Sequence, residues 1–386
     1  MENRNDRKER NITLDVAKGL AMILVVWLHA EGPYFAYISR LTVPAFFMVS
    51  GYFYNVDNSF KKYFIRRVNT LYIPFVFWNV LASTLTAVLG LIPYSLGEFI
   101  KHIILIFFTV DKDGAVFGGS WFIASLFLMS IVYKFVDYVV TRRIANKTSD
   151  KLANMPKLNK MYKLVTSDRF VLGLRVFVNL ILFALLALWA SHITLPYRIS
   201  RTIVLGFFYA VGVLIKYVSS RKKPVGLLQK LNVNTSIIAC FTTIVAAGLY
   251  ISIASTCHTD LGFNVFDNRG LYIIEVLCGS MVLYQVARIL ARIDQVKKVL
   301  VYVGMHTIDI VLWQYVFFRV IIALQLYLNN QPLSMVTQIY PTYDSSHGWW
   351  IVYTIFGVVT SLAFGELLRR GPWGRILAKY HIVASE

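Results

Sequence analysis

At 386 residues, with 57% hydrophobic and only 15% charged residues, the chain is too apolar for a soluble protein of its size and reads as a polytopic membrane protein. A net charge of +19 would suit nucleic acid, but the basic residues alternate with apolar stretches and form no single patch. That pattern excludes nucleic acid as a partner and points to anionic membrane lipids. The three cysteines, Cys240, Cys257 and Cys278, supply no disulfide framework. No Cys-x-x-Cys or His-x-x-x-His pair occurs, so no metal is expected.

The first apolar stretch, 13–30, carries the most informative pattern. Asp15, Lys18, Met22, Val25 and His29 recur at three- and four-residue steps and so form one helical seam, polar at both ends. Lys18 and His29 are eleven residues apart, roughly 16 Å along a helix axis. Ionisable groups inside a bilayer are expensive and normally face a cavity or one another, so the seam predicts a functional site. The competing reading is that Asp15 and Lys18 mark the water interface, with Lys18 snorkelling.

Nine further stretches are read as spans, at 41–55, 71–92, 119–140, 170–190, 201–218, 235–254, 270–290, 300–327 and 348–368. The stretch 41–55 is short and holds Pro44 and Gly51, which predicts a tilted, broken or partly re-entrant segment. Phe99–Val110 is too short to span and reads as interfacial or re-entrant. Thr141–Arg169, rich in Lys, Asn and Ser, reads as a loop.

The fold expected is an all-α bundle of about ten transmembrane helices forming one membrane domain over 1–386. Residues 1–11 and 369–386 would be cytoplasmic tails and 12–368 the bundle. With the N-terminus inside, the inner segments hold 29 Lys or Arg against six in the outer ones, Arg40, Lys101, Lys112, Arg198, Arg201 and Arg269. Lys18, Lys134, Arg175 and Arg319 fall within spans. This alternation places both termini inside. Among the outer loops, Leu328–Gly348 carries Tyr340, Pro341, Tyr343 and His347, aromatics able to stack on a sugar or to sit in an interfacial belt.

Several motifs then fall into a familiar order. Leu14-Asp15-Val16-Ala17-Lys18-Gly19 followed by Val26-Trp27-Leu28-His29-Ala30 resembles the first span of the integral-membrane acyltransferase 3 family, which includes fucose 4-O-acetylase-like and other sugar O-acetyltransferases. That family's signature of a basic residue, ten residues and a histidine falls on Lys18 and His29. Val43-Pro44-Ala45-Phe46-Phe47-Met48-Val49-Ser50-Gly51-Tyr52, the basic run Lys61, Lys62, Arg66 and Arg67, Ser120-Trp121-Phe122 and Gly304-Met305-His306-Thr307 are similar to its later segments. Many members carry a second histidine about eight residues after the last of these. This chain has Gln314, which hydrogen-bonds but does not exchange a proton as an imidazole does.

The resemblance implies a membrane O-acyltransferase, O-acetyl in the first instance, that moves the acyl group of acyl-coenzyme A to a hydroxyl of a sugar or surface glycan in a bacterial inner membrane. Its co-substrate would be acetyl-CoA. A neutral imidazole suits deprotonation of the acceptor hydroxyl, which makes His29 the expected general base, with direct transfer and an acyl-His29 relay both open. Arg66 and Arg67, ahead of Lys61 and Lys62, are the expected donor-phosphate ligands. Lys18, oriented by Asp15, would meet a donor phosphate or the pantetheine arm. Trp121, Ser50, His306 and Gln314 complete the expected substrate-binding set. The alternative is a transporter or flippase for a glycan or lipid-linked intermediate, with Lys18 and His29 lining its pathway.

Overall fold

The computed structural model describes residues 11–89, 95–109, 118–152, 168–220 and 235–383. Among them are fourteen α-helices and one two-strand hairpin. The expected tail 1–11 lies almost wholly outside the described residues. So do Lys112 and the inner basic residues 221–230, together with parts of the loops 93–119 and 141–169.

In chain order the helices are α1 (Ile12–His29), α2 (Phe35–Tyr52), α3 (Phe60–Arg67), α4 (Ile73–Val88), α5 (Leu96–Phe108), α6 (Trp121–Leu152) and α7 (Asp168–Ala190). They continue as α8 (Ile199–Ser220), α9 (Thr235–Thr256), α10 (Arg269–Leu290), α11 (Asp294–Met305), α12 (Thr307–Leu328), α13 (Trp349–Arg370) and α14 (Gly374–Lys379). The hairpin, β1 (Thr259–Asp260) with β2 (Val265–Phe266), is a small exception to the all-α expectation.

Nine segments among the described residues are long and apolar enough to cross a membrane, and each coincides with an expected span. The tenth expected span is α2. It is an unbroken helix of 18 residues with Pro44 inside it, so the expected break does not occur. At 1.5 Å per residue it extends about 27 Å.

Three other boundaries differ from the sequence reading. Phe60–Val88 runs as one helical segment, with a π turn at Val68–Tyr72 joining α3 to α4, so its basic start is helical too. The 300–327 stretch is interrupted at His306, which ends α11 and precedes α12. Residues 141–152, expected in a loop, extend α6; residues 153–167 lie outside the described set.

The helices gather into two compact units. One comprises Met1–Thr42, Ser236–Cys257 and Gly270–Pro372, the other Val43–Thr235, His258–Arg269 and Trp373–Glu386.

In the first unit, α1 is capped by Asn11, whose side chain accepts from the Leu14 N–H at 3.2 Å, and Asp15 lies in the first turn, where negative charge favours the helix. Val16 and Ala17 pack on Leu300 and Ala287. Gly19 and Gly304 let the backbones of α1 and α11 touch: a Cβ at either would lie 2.0 Å from the Leu300 carbonyl oxygen or 2.1 Å from that of Asp15. Close approach through small residues is how membrane helices gain packing energy that lipid cannot supply.

The second unit repeats the device. Gly51 on α2 and Gly212 on α8 would each drive a Cβ into the opposing backbone, at Tyr209 and Met48. Arg40 and Arg201, read from sequence as outer-segment charges, are buried helix residues. Arg40 pairs with Glu275 at 3.3 Å and donates to the carbonyls of Ala254 and Cys257.

Candidate functional site

On α1, Asp15, Met22 and Val25 of the seam are buried and Lys18 and His29 half-buried; Leu14, Val16, Ala17, Ala21 and Val26 outside it are buried as well, and Leu20, Ile23, Leu24 and Trp27 are half-buried. Asp15 Oδ1 and Lys18 Nζ form an ion pair at 2.8 Å, one helical turn apart. His29 is the last residue of the helix. Its Nδ1 lies 3.2 Å from Gln314 Oε1 on α12, and its ring rests 4.9 Å from that of Tyr315.

An amide oxygen accepts only, so with Gln314 in this orientation the contact pairs it with the tautomer protonated on Nδ1, which has its lone pair on Nε2. Gln314 is fully buried, and its Nε2 has no hydrogen-bond partner among the described residues.

Gln314 stands seven residues from the start of α12 and fourteen from its end, so about 21 Å of helix continues beyond it. The 329–348 segment folds back along that length. Arg319 Nη1 donates to the Val336 carbonyl and, at 2.5 Å, to that of Ile339. Gln325 Nε2 donates to the Asp344 carbonyl at 2.8 Å, and Tyr353 Oη donates to Gln325 Oε1 at 2.7 Å. Thr342 and Ser345 donate to Glu31, two residues beyond His29, at 2.8 and 3.2 Å. Backbone and side-chain hydrogen bonds from Ser346 hold the Asp344 carboxyl below the usual carboxylate range. The result is a ladder of rings, with His29 on Tyr315 and Tyr315 on Tyr340 at 4.9 Å, and Tyr340 is half open to the surroundings.

His306 is separate from this pair. It caps the break between α11 and α12, its Nδ1 2.9 Å from the Tyr302 carbonyl oxygen and its ring 4.4 Å from that of Tyr302.

In the second unit, Lys61, Lys62 and Arg66 line a cavity of about 610 Å³ with Ser59, Ile65, Asn69, Thr70 and His381. Ser59 caps α3 by accepting from the Lys62 N–H at 3.3 Å, and the π turn carries Asn69 and Thr70 into the same wall. Arg67 stands apart from this cavity. Adjacent helix residues are about 100° apart, and Arg67 turns to the other side, where its Nε donates to Tyr63 Oη at 3.0 Å. Tyr63 in turn shares a 2.8 Å hydrogen bond with Tyr209.

Behind those tyrosines lies a network absent from the sequence reading. Asp137 accepts from Arg175, from Tyr54 Oη and, at 2.9 Å, from Asn179. Lys134 and Lys216 donate to the carbonyls of Val56 and Tyr54. The signal for it was available: Lys134 and Arg175 fall inside spans, and a charge there needs a partner.

Trp121 is half-buried at the start of α6, with the Arg201 guanidinium 3.7 Å from its ring centroid. Ser50 is half-buried on α2 next to Gly51, the residue in contact with Tyr209. His381, assigned no role from sequence, follows α14 and reaches the cavity only through the fold.

The arrangement thus offers an imidazole held by an amide in one unit and a cationic cavity in the other. No curated protein and no solved structure matches the chain. A family model described as an acyltransferase domain, of the acyltransferase 3 type, matches residues 11–366, nearly the whole length. The chain is therefore a membrane acyltransferase and belongs to the acyltransferase 3 family.

Proposed function

We propose that this membrane acyltransferase transfers an acyl group, acetyl in the first instance, from acyl-CoA to a hydroxyl of a sugar or cell-surface glycan, with His29 as general base. The reaction takes place in a bacterial cytoplasmic membrane with the N-terminus inside. The observation that supports the reading is the 3.2 Å contact between His29 Nδ1 and Gln314 Oε1: with the proton on Nδ1, Nε2 has the lone pair that would take the acceptor proton.

The donor reading is supported by the cavity of Lys61, Lys62 and Arg66, whose volume of about 610 Å³ suits a small-molecule site and whose charge suits coenzyme A phosphates. Lys18, oriented by Asp15, is assigned to a donor phosphate or the pantetheine arm. Trp121 and Ser50 are assigned to the acceptor wall, and His306 to a hydrogen bond with substrate. Arg67, turned into the tyrosine network, serves to seat α3.

Purified protein in nanodiscs, given labelled acetyl-CoA and glycan acceptors, tests this directly. Label should appear covalently in the glycan and be lost in His29→Ala. Uptake of glycan without covalent modification, indifferent to acetyl-CoA, would replace the enzyme with a transporter.

A further inference from the structure

The buried amide of Gln314 has two ends, and only one is satisfied. Its oxygen holds His29 Nδ1, while its nitrogen, in a residue with 0% exposure, has no partner among the described residues. Buried amide N–H groups are nearly always paired, because leaving one unpaired forfeits its hydration without return. An unpaired donor beside His29 is available to an acceptor atom of the substrate.

We propose that Gln314 is a catalytic residue of the acyl-transfer step: its Oε1 fixes the His29 tautomer, and its Nε2–H₂ donates to the acyl oxygen as negative charge develops there. This rests on the reading of His29 as the base.

The step balances with no further reactant. The acceptor hydroxyl gives its proton to His29 Nε2 as its oxygen bonds to the thioester carbon. The carbonyl π pair moves onto oxygen, where the Gln314 N–H₂ meets it. When that pair returns, the carbon–sulfur bond breaks, and the thiolate takes the proton back from the imidazolium. The products are the ester and free coenzyme A thiol. A preorganised donor aimed at the developing oxyanion, in a site that need not reorganise, is a large source of rate enhancement.

Turned about, Gln314 would donate to Nδ1, force the proton onto Nε2 and remove the base. The Tyr315 ring, 4.9 Å away, packs against the imidazole that this hydrogen bond orients.

The near-isosteric Gln314→Glu tests this: it keeps an accepting oxygen for His29 Nδ1–H and removes the N–H donors, and because its carboxylate also raises the basicity of the imidazole, kcat is compared at the plateau of each variant's pH profile. The expected result is a kcat lower by roughly 100- to 1,000-fold, the range for a lost oxyanion donor, with KM for donor and acceptor within about threefold of the wild type. Gln314→Leu, which removes both functions, should fall at least as far. A role limited to orienting His29 would leave Gln314→Glu near wild-type kcat, and that result overturns the proposal. Thermal unfolding of each variant separates lost folding from lost chemistry. If His29→Ala itself retains activity, the underlying reading of the base fails; if His29→Ala is inactive while Gln314→Glu is unimpaired, only the present inference fails.

Discussion

Replacing Gly304 with alanine tests how α1 is held in its unit, because the perturbation can be measured off the backbone. The added Cβ would lie 2.1 Å from the Asp15 carbonyl oxygen and 3.1 Å from the Gly19 nitrogen. Non-bonded heavy atoms settle at about 3.5 Å, so α1 and α11 must separate by roughly 1.4 Å. Both clashing groups are main chain inside helices, and neither can rotate aside. Overpacking of this kind costs about 1–3 kcal/mol. The displaced segment carries Asp15 and Lys18, and a misplacement of about 1 Å in a positioning element can lower turnover about 100-fold. Gly248→Ala on α9 is the control: nothing lies within 4 Å of its Cβ, and the change should be neutral or gain up to about 1 kcal/mol of helix propensity. Thermal unfolding and acyl-transfer rates in nanodiscs should separate the two variants. If Gly304→Ala behaves like Gly248→Ala in both measurements, α1 and α11 are not in backbone contact and the argument for a fixed Asp15–Lys18 pair falls.

Three other expectations follow from charges the fold has enclosed. Asp137→Leu strands Arg175 and should cost about 3–5 kcal/mol, whereas the double change with Arg175→Met should recover most of it; a thermal-unfolding double-mutant cycle reads the coupling, and additive losses would contradict the ion pair. Arg66→Ala should raise donor KM about tenfold, the low end for a charge-assisted hydrogen bond, while Arg67→Ala lowers thermal stability through its lost contact with Tyr63; titration of donor against both variants would reveal a reversed order. Arg319→Met removes two bonds to the 329–348 segment at a cost of about 1.5–3 kcal/mol, so amide exchange should quicken at 333–340, and unchanged protection would refute the anchor.

What the sequence discloses here depends on the distance over which each contact acts. Burial of Asp15, Met22 and Val25 was legible from local periodicity, but the buried side of α1 is broader than that seam and includes Val16, Ala17 and Val26. The separation of Arg67 from Arg66 was not legible from spacing, since the adjacent Lys61 and Lys62 both line the cavity, and similarity to a basic family segment led to grouping all four. The partner of His29 lies 285 residues away, and no spacing rule connects them. The fold-back of 329–348 is equally non-local, written in carbonyl acceptors that every residue possesses. The helix break at His306 has no proline to announce it, while α2 continues through Pro44 despite one. Local breaker signals are weak where packing on neighbouring helices supplies the missing interactions.

The replacement of a familiar second histidine by Gln314 bears on which of the two candidate functions the site can serve. Transfer of an acyl group from sulfur to oxygen releases one proton from the acceptor and returns one to the leaving thiol. The site therefore needs a single group that holds a proton between two events, and an imidazole with one nitrogen fixed is enough. Transport coupled to protons makes the opposite demand, a succession of groups that pass a proton from one side to the other. Among the described residues, His29 meets the Gln314 amide, which does not exchange, and the Tyr315 ring. A relay entering at His29 Nδ1 would stop at Gln314, whereas a cycle that begins and ends at Nε2 loses nothing by it. An amide in place of a titrating group thus favours acyl transfer over proton-coupled transport.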